Sequence, residues 1–253
     1  MIFSPSLDAV FSKTGLPFEQ QVERSRELGY TSIEFWGWGS KDLQGLAALK
    51  ERLGLQVGSF CTTNSDLVNP SNRGKFIEGL QESIAAAKIV DCRNLIATVG
   101  NAREGVSREE QHDSIVEGLR AAVPYLEEAG ITLVVEPLNE LVDHGGYYLV
   151  RSAEAFEIID KVGSKFVKVL YDVYHQQISE GNLISTIRAN IDRIGYFHIA
   201  DHPGRHEIGT GEINYHNVLD AIRGTGYTGY VGLEYVPLQG VDEGLTAFLK
   251  EYA

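Results

Sequence analysis

The sequence predicts an α/β protein folded as one (β/α)8 barrel over residues 1–253. Short β-branched and aromatic runs alternate strictly with longer amphipathic runs, which implies parallel strands joined by crossover helices. Eight such units recur roughly every 25 to 40 residues, and about 250 residues is the usual size of an eight-unit barrel. Composition does not shift between halves, and with only 7 Pro there is no Pro-rich linker. The competing architecture, an open doubly wound sheet, calls for a Gly-rich phosphate turn after an early strand. Trp36-Gly37-Trp38-Gly39 supplies GxG without the third Gly, so the dinucleotide fingerprint fails.

In chain order, strands are predicted at residues 2–7, 31–36, 56–61, 94–99, 132–138, 167–173, 194–201 and 230–236, each rich in Val, Ile, Phe, Tyr or Thr, as buried parallel strands are. Pro17 opens the first helix at its first position and Gly29 closes it. Asp42 to Leu53 stops at Gly54 in the same way. Gly74 to Val90 carries Phe76, Leu80, Ile84, Ala87 and Lys88 at helical spacing. Ser107 with Glu110 reads as a capping box before a helix ending at Gly130, with Pro124 expected to kink or break it. Ser152 starts a helix that ends near Gly163. Leu183 to Asn190, Tyr215 to Arg223 and Gly244 to Tyr252 complete the set.

Charge excludes several functions. With 22 Lys+Arg against 35 Asp+Glu, the net charge is −13. Such a chain repels nucleic-acid backbones and anionic membranes unless it carries a local basic groove, and no Lys/Arg run supplies one. No apolar stretch approaches the roughly 20 residues of a membrane span, and Met1-Ile2-Phe3-Ser4-Pro5 lacks the features of a signal peptide. Two cysteines, Cys61 and Cys92, make neither a disulfide framework nor a zinc-finger spacing. A reducing cytoplasm is the expected location. Partners are expected to be small molecules, with no nucleic acid and no membrane, and a homo-oligomer is left open.

In a barrel, function gathers at the C-terminal ends of the strands. Four successive predicted strands each place a ligand-type residue there: Glu136, Asp172, His198 and Glu234. One such residue is ordinary. Four in succession are not, because three crowded carboxylates raise one another's pKa and destabilise the site. A divalent cation removes that conflict. An oxygen-rich set with one imidazole suits Mn²⁺, Mg²⁺ or Co²⁺ better than a structural zinc.

Around this set, His175 lies just past the sixth strand, and Asp201-His202-Pro203-Gly204-Arg205-His206-Glu207 follows the seventh. Arg205 is the natural clamp for a substrate carboxylate or phosphate; its bland alternative is a rim salt bridge. His202 is a weaker candidate for the substrate, and His206 reads equally as solvent-exposed. Glu212 is expected to hold Arg205 or His198, or to cap the helix starting near Asn214. Trp36 and Trp38 read as a wall of the pocket or a cover for the barrel rim. Glu34 reads as a rim ion pair, with support of the site as the alternative. Cys61 has no base at fixed spacing and is not expected to be a nucleophile. His112 and His144 read as surface residues, and no Ser-His-Asp order with a nucleophile elbow occurs.

The residues from Val134 to Asn139, from Tyr171 to His175, and above all His202-Pro203-Gly204-Arg205-His206-Glu207 followed by Gly209 to Tyr215 carry a family resemblance, and Phe3-Ser4-Pro5-Ser6-Leu7 fits it too. Along its whole length the chain resembles the xylose isomerase-like TIM-barrel superfamily of sugar isomerases, epimerases and endonuclease IV enzymes, and within it the hydroxypyruvate isomerase family. The resemblance implies Glu136, Asp172, His198 and Glu234 as metal ligands and Glu136 and Glu234 as the acid/base pair. It also implies that His175 faces the substrate, as in ketose 3-epimerases. His198 departs from the hydroxypyruvate isomerases, which often carry Gln there, and matches the epimerases.

A metal flanked by two glutamates suits proton transfer next to a carbonyl. The ion stabilises an enediolate while one glutamate removes a carbon-bound proton and one returns it. The expected function is isomerisation of a short 2-keto acid and its aldehyde isomer, with Arg205 on the carboxylate. The alternative is a ketose 3-epimerase or other sugar isomerase. A third reading, a metal-dependent phosphodiesterase acting on damaged DNA, calls for a His-rich cluster and a basic face. This chain has 7 His and a net charge of −13.

Overall fold

The computed structural model describes residues Met1–Ala253. In chain order the elements are β1 (Ile2–Pro5), α1 (Leu7–Val10), α2 (Phe18–Glu27), β2 (Ser32–Ile33), α3 (Leu43–Leu53), β3 (Gln56–Val57), β4 (Phe60–Cys61), α4 (Arg73–Ile89), β5 (Asn94–Ala97), α5 (Arg108–Ala129), β6 (Thr132–Val135), α6 (Ser152–Val162), β7 (Val167–Asp172), α7 (Val173–Ser179), α8 (Leu183–Asn190), β8 (Ile194–Ile199), α9 (Tyr215–Gly224), β9 (Tyr230–Leu233) and α10 (Val241–Tyr252). The strands run in the order β1-β9-β8-β7-β6-β5-β4, with β2-β3 as a separate pair, and every strand pairing is parallel.

Backbone hydrogen bonds beyond the regular strands close the sheet on itself. Glu34 N donates to Pro5 O at 3.0 Å and Leu7 N to Glu34 O at 2.9 Å, joining β2 to β1. Gly58 N donates to Ile33 O at 2.8 Å and Cys61 N to Trp36 O at 2.9 Å, joining the next strand to β2. Segments β3 and β4 are thus the two halves of one barrel strand, and the expected (β/α)8 barrel is the architecture found.

The period-two alternation of strands sorts side chains between two layers. Leu133 and Val135, Val169 and Tyr171, Phe197 and Ile199, and Val231 and Leu233 point outward, into a core of 63 buried residues shared with the helices. Ile96, Val134, Leu170 and Tyr196 point inward as a small apolar plug. Two residues further along, the inward positions are Glu136, Asp172 and His198. Glu234 has the same relation to Gly232. The barrel interior changes from apolar to ionisable within one pleat.

The structure departs from the expected elements in several places, beginning with Leu7, which is expected to end the first strand and instead opens helix α1. Helix α5 continues across Pro124; Pro124 and Arg120 are both exposed, so the carbonyl deprived of its i+4 donor is open to water. Helix α10 begins at Val241, not Gly244. Gly244 lies inside the helix where a Cβ would sit 2.9 Å from Glu207 Cγ, so it permits close packing and marks no helix start. Pro17 is the cap preceding α2 and not its first residue. Strand β7 ends at Asp172, whose carboxylate accepts from Tyr174 N at 2.8 Å and caps α7 directly. No helix is long and apolar enough to cross a membrane.

The capping box of α5 is present as expected. Glu110 N donates to Ser107 Oγ at 3.2 Å, and Ser107 N to Glu110 Oε2 at 3.1 Å; α5 ends on Gly130 at φ +63°. Ser107→Ala is expected to cost about 1 kcal/mol. In a chain of this size that lowers the melting temperature by roughly 2–4 °C, as read by thermal unfolding of parent and variant.

Candidate active site

Glu136, Asp172, His198 and Glu234 converge at the C-terminal mouth of the barrel. All four are buried, and one ligand atom from each lies within 4.8 Å of the others. The backbone ladder carries Glu136 and Glu234 one residue past their strands: Glu136 N donates to Ala97 O and Glu234 N to Ile199 O, each at 3.1 Å. His198 Nδ1 lies 3.4 Å from Glu136 Oε1 and 3.3 Å from Glu234 Oε2. Yet neither nitrogen of His198 nor Glu136 Oε1 has an aligned hydrogen-bond partner, and of these Nδ1 and Oε1 face the cluster. Buried polar atoms are rarely left so. Orphaned oxygen and nitrogen donors converging on one point fit a divalent cation, and these four residues could hold one.

Electrostatics separate the groups. Burial pushes Asp172 up to about 7, against the pull of the Arg205 guanidinium. For Glu234 burial acts in the same direction, but Arg205 and then His198 outweigh it and hold the carboxyl well below the usual carboxylate range. Burial favours neutral His198, yet Glu34 and Glu234 raise it well above the usual imidazole value.

Arg205 lies at the edge of the cluster with its side chain 21% exposed. Its Nη2 donates to Glu234 Oε2 and lies 3.9 Å from Asp172 Oδ2. Its guanidinium stands 5.3 Å from the centre of the Tyr174 ring. The backbone of Arg205 is left-handed, at φ +57°, a conformation that costs a non-glycine residue energy and is met chiefly at functional sites. Buried acids hold the loop. Asp201 accepts from His202 N, Gly209 N and Ile213 N, and Glu207 accepts from Leu238 N and Gln239 N.

His175 sits in the first turn of α7, fully buried, with Nε2 3.5 Å from Asp172 Oδ2. Its Nδ1 lies 2.7 Å from Asn139 Nδ2. An amide N–H can only donate, so Nδ1 accepts and the proton sits on Nε2. Burial, then Arg205, keeps the ring neutral, and Nε2 has no hydrogen-bond partner. Asn139 also donates to Asp143, which accepts from Tyr174 Oη at 2.9 Å. Trp36 is 44% exposed and donates from Nε1 to Glu234 Oε1 at 2.6 Å, so it walls the site.

The other candidate residues lie in varied surroundings, several of them unlike those expected. Trp38 turns away and donates to Ser83 on α4. His202 packs against the Tyr174 ring at 5.8 Å and makes no hydrogen bond or ion pair with the cluster. His206 is half-buried, its Nδ1 2.8 Å from Val236 O. Glu212 neither holds Arg205 or His198 nor caps α9. It accepts from Gln177 Nε2, and the cap is Asn214. His112 is buried beside Glu154, and His144 packs 5.3 Å from the His175 ring; neither is a free surface residue. Burial pushes the Cys61 thiol well up, which keeps it inert. Glu34 is no rim ion pair: it is buried, 3.1 Å from His198 Nε2. Asn139 carried no signal beyond its place after Glu136-Pro137-Leu138. Glu34 did carry one, since it interrupts an apolar strand as the four cluster residues do.

A barrel with carboxylates, an imidazole and a guanidinium gathered at its C-terminal mouth is the frame of an enzyme that moves protons. A family model described as xylose isomerase-like TIM barrel matches residues 22–252. Hydroxypyruvate isomerase of Escherichia coli (strain K12) is 32% identical over 251 residues, covering 96% of this chain and 96% of that protein. The 2-oxo-tetronate isomerase of Haemophilus influenzae is 29% identical over 256 residues, with 98% of each covered. The crystal structure of a protein named AP endonuclease, family 2, from Brucella melitensis superposes with a TM-score of 0.93 at 28% identity, covering 100% of this chain and 99% of that one. The chain belongs to the xylose isomerase-like TIM-barrel family, within it to the hydroxypyruvate isomerase family, and it is an isomerase.

The raised values at the site set a pH dependence. Glu34, Asp172 and His198 bind protons more tightly in the folded chain than in the unfolded one. Their stabilisation is present at low pH and lost as pH rises through the folded-state values. His175 has the opposite sign, but only below its unfolded value of about 6.5. In chelator, the urea midpoint is therefore expected to fall between about pH 6.5 and 8, with each proton released worth up to about 1.4 kcal/mol per pH unit. Asp172→Asn should flatten the slope; an equal slope in parent and variant contradicts the assignment.

Proposed function

We propose that the chain interconverts a short 2-keto acid of the hydroxypyruvate kind and its aldehyde isomer through an enediolate, with a divalent cation (Mn²⁺, Mg²⁺ or Co²⁺) held by Glu136, Asp172, His198 and Glu234. The observation that carries this reading is Arg205, the only Lys or Arg side chain paired with a member of the cluster. Its Nη2 and Nε are directed to Glu234, and Nη1 has no protein hydrogen-bond partner, which leaves one edge of the fork for a substrate carboxylate. The similarity to hydroxypyruvate isomerase supports the same substrate class.

The cation, when bound, supplies Lewis acidity toward a carbonyl and its neighbouring hydroxyl. Arg205 orients the carboxylate. One of Glu136 and Glu234 removes a proton from the hydroxymethyl carbon, and the other delivers a proton to the former carbonyl carbon. The hydroxyl proton moves to the former carbonyl oxygen, so substrate and product balance; the first glutamate then releases its proton to solvent and the second takes one up, which restores the pair. Neutral His175, with its unpartnered Nε2–H, donates to a substrate oxygen. Trp36 covers Glu234 and limits water.

Added Mn²⁺ is expected to stabilise the chelator-treated protein by about 2.7 kcal/mol at a hundredfold excess over Kd, read as a rise in melting temperature. Glu234→Gln and Asp172→Asn should blunt that rise, and a full response in both variants excludes the ligand set.

The substrate is tested with Arg205→Ala. A charge-assisted hydrogen bond is worth about 1.5–3 kcal/mol, so kcat/KM on hydroxypyruvate is expected to fall roughly tenfold to more than a hundredfold. Turnover of a neutral ketose such as fructose should be low in both forms. Unchanged keto-acid turnover in the variant, or activity on ketoses alone, replaces this reading with the 3-epimerase that His198 suggests.

A further inference from the structure

The proton chemistry above leaves one buried carboxylate of the barrel interior without a task. Glu34 follows β2, which the sheet order separates from β8 by β1 and β9. Its side chain nevertheless reaches β8 across the interior. Oε1 lies 3.1 Å from His198 Nε2, an ion-pair contact, although the two atoms are not aligned as a hydrogen bond. Oε2 accepts from Tyr196 Oη at 2.6 Å, with Ser59 Oγ at 3.5 Å. Tyr196 and His198 are alternate residues of one strand and face the same way, so both oxygens of Glu34 are held by a single strand.

The contact exists because of a hole beside it. Gly232 of β9 is the register partner of His198. A Cβ there would sit 2.5 Å from Glu34 Oε1 and 2.6 Å from His198 Cδ2. Any other residue at 232 pushes the carboxylate and the imidazole apart.

We propose that Glu34 is a positioning residue that fixes the ring of His198, keeping a proton on Nε2 and turning Nδ1, which gives up its proton when a metal binds, toward Glu136, Asp172 and Glu234. The inference rests on the metal site proposed above. An imidazole ligand presents its metal-binding nitrogen only when the other nitrogen has a partner, which sets both tautomer and ring orientation. Glu34 is that partner, Tyr196 holds Glu34, and Gly232 makes room for both. Glu34 touches neither the metal nor the substrate in this scheme and acts through His198.

The test measures Mn²⁺ Kd by the electron paramagnetic resonance of free Mn²⁺, for the parent, Glu34→Gln, Glu34→Leu and Gly232→Ala, with a cooperative thermal melt in chelator as the check of folding. Loss of such a partner typically weakens metal binding by about 10- to 100-fold, and that is expected for Glu34→Leu. Glu34→Gln should retain part of the affinity, because its amide oxygen still accepts from Nε2–H. Gly232→Ala should weaken binding with the carboxylate still in the chain. The ¹⁴N coupling of the imidazole to bound Mn²⁺ should shrink in the same order. Gln and Leu variants of equal affinity would mean that Glu34 acts only as one more negative charge, and would overturn the proposal. Parent-like affinity in Glu34→Leu overturns it as well. If Glu34→Leu does not fold, parent-like affinity in both Glu34→Gln and Gly232→Ala overturns it. A folded parent that binds no Mn²⁺ refutes the metal site itself, and this inference with it, an outcome distinct from the others.

Discussion

Burying four carboxylates around one imidazole is the constraint to which the rest of this barrel answers. Glu34, Glu136, Asp172 and Glu234 are all nearly inaccessible to water, where an unpaired charge is expensive. His198 touches three of them, and Arg205 pairs with Glu234 and approaches Asp172. Every carboxylate of the group therefore lies near at least one cation, yet the acids outnumber the cations. Asp172 shows the residual conflict, with burial pushing it up to about 7. Such tension is the usual mark of a site that handles protons or cations. The stability it costs must come from elsewhere, here from the continuous apolar layer between sheet and helices.

Much of this was legible because strands have a period of two. On β6 to β9 the outward residues are apolar without exception, so a Glu, Asp or His at an inward position breaks a pattern visible in one sequence. The same reasoning applies to Glu34, which lies between Ile33 and Phe35, both buried and outward. It was misjudged because the regular part of β2 is two residues long, and because its partner on β8 is reached only through barrel closure. Gly232 was silent for a related reason. What it contributes is the absence of a Cβ, and that acquires meaning only when β9 is aligned with β8. Glu212 was misassigned because loop length does not say which way a side chain leaves a turn. His112 was misassigned because the packing of α5 on α6, which buries it beside Glu154, lies beyond any local pattern.

Loops, usually the mobile part of such a barrel, are here pinned by their own buried acids. Asp201 gathers three backbone N–H groups from residues spread between 202 and 213. Glu207 takes the backbone of the following βα loop at Leu238 and Gln239, and Val236 N donates to Arg205 O at 2.9 Å. The loops after β8 and β9 thus brace each other. The left-handed backbone of Arg205 is sustained by this bracing, and the guanidinium reaches the cluster without a long search through rotamers. On the other side of the mouth, Asn139, Asp143, Tyr174 and His175 form a second brace that links the loop after β6 to α7. Precise placement of reacting groups depends on support of this kind.

The two glutamates show how far neighbours can separate residues of like origin. Glu136 and Glu234 each follow a short apolar strand, each extend its ladder by one hydrogen bond, and each approach His198 Nδ1 to nearly the same distance. Beyond that they differ. Glu234 accepts from Trp36 and from Arg205, which fix it, and Arg205 with His198 holds it ionised. Glu136 Oε1 has no aligned hydrogen-bond partner. A reaction that takes a proton at one carbon and returns one at another calls for two carboxylates of unequal environment. The inequality comes from Trp36 and Arg205, which belong to loops on other strands, so the two glutamates look alike in sequence and are distinguished only by the closed barrel.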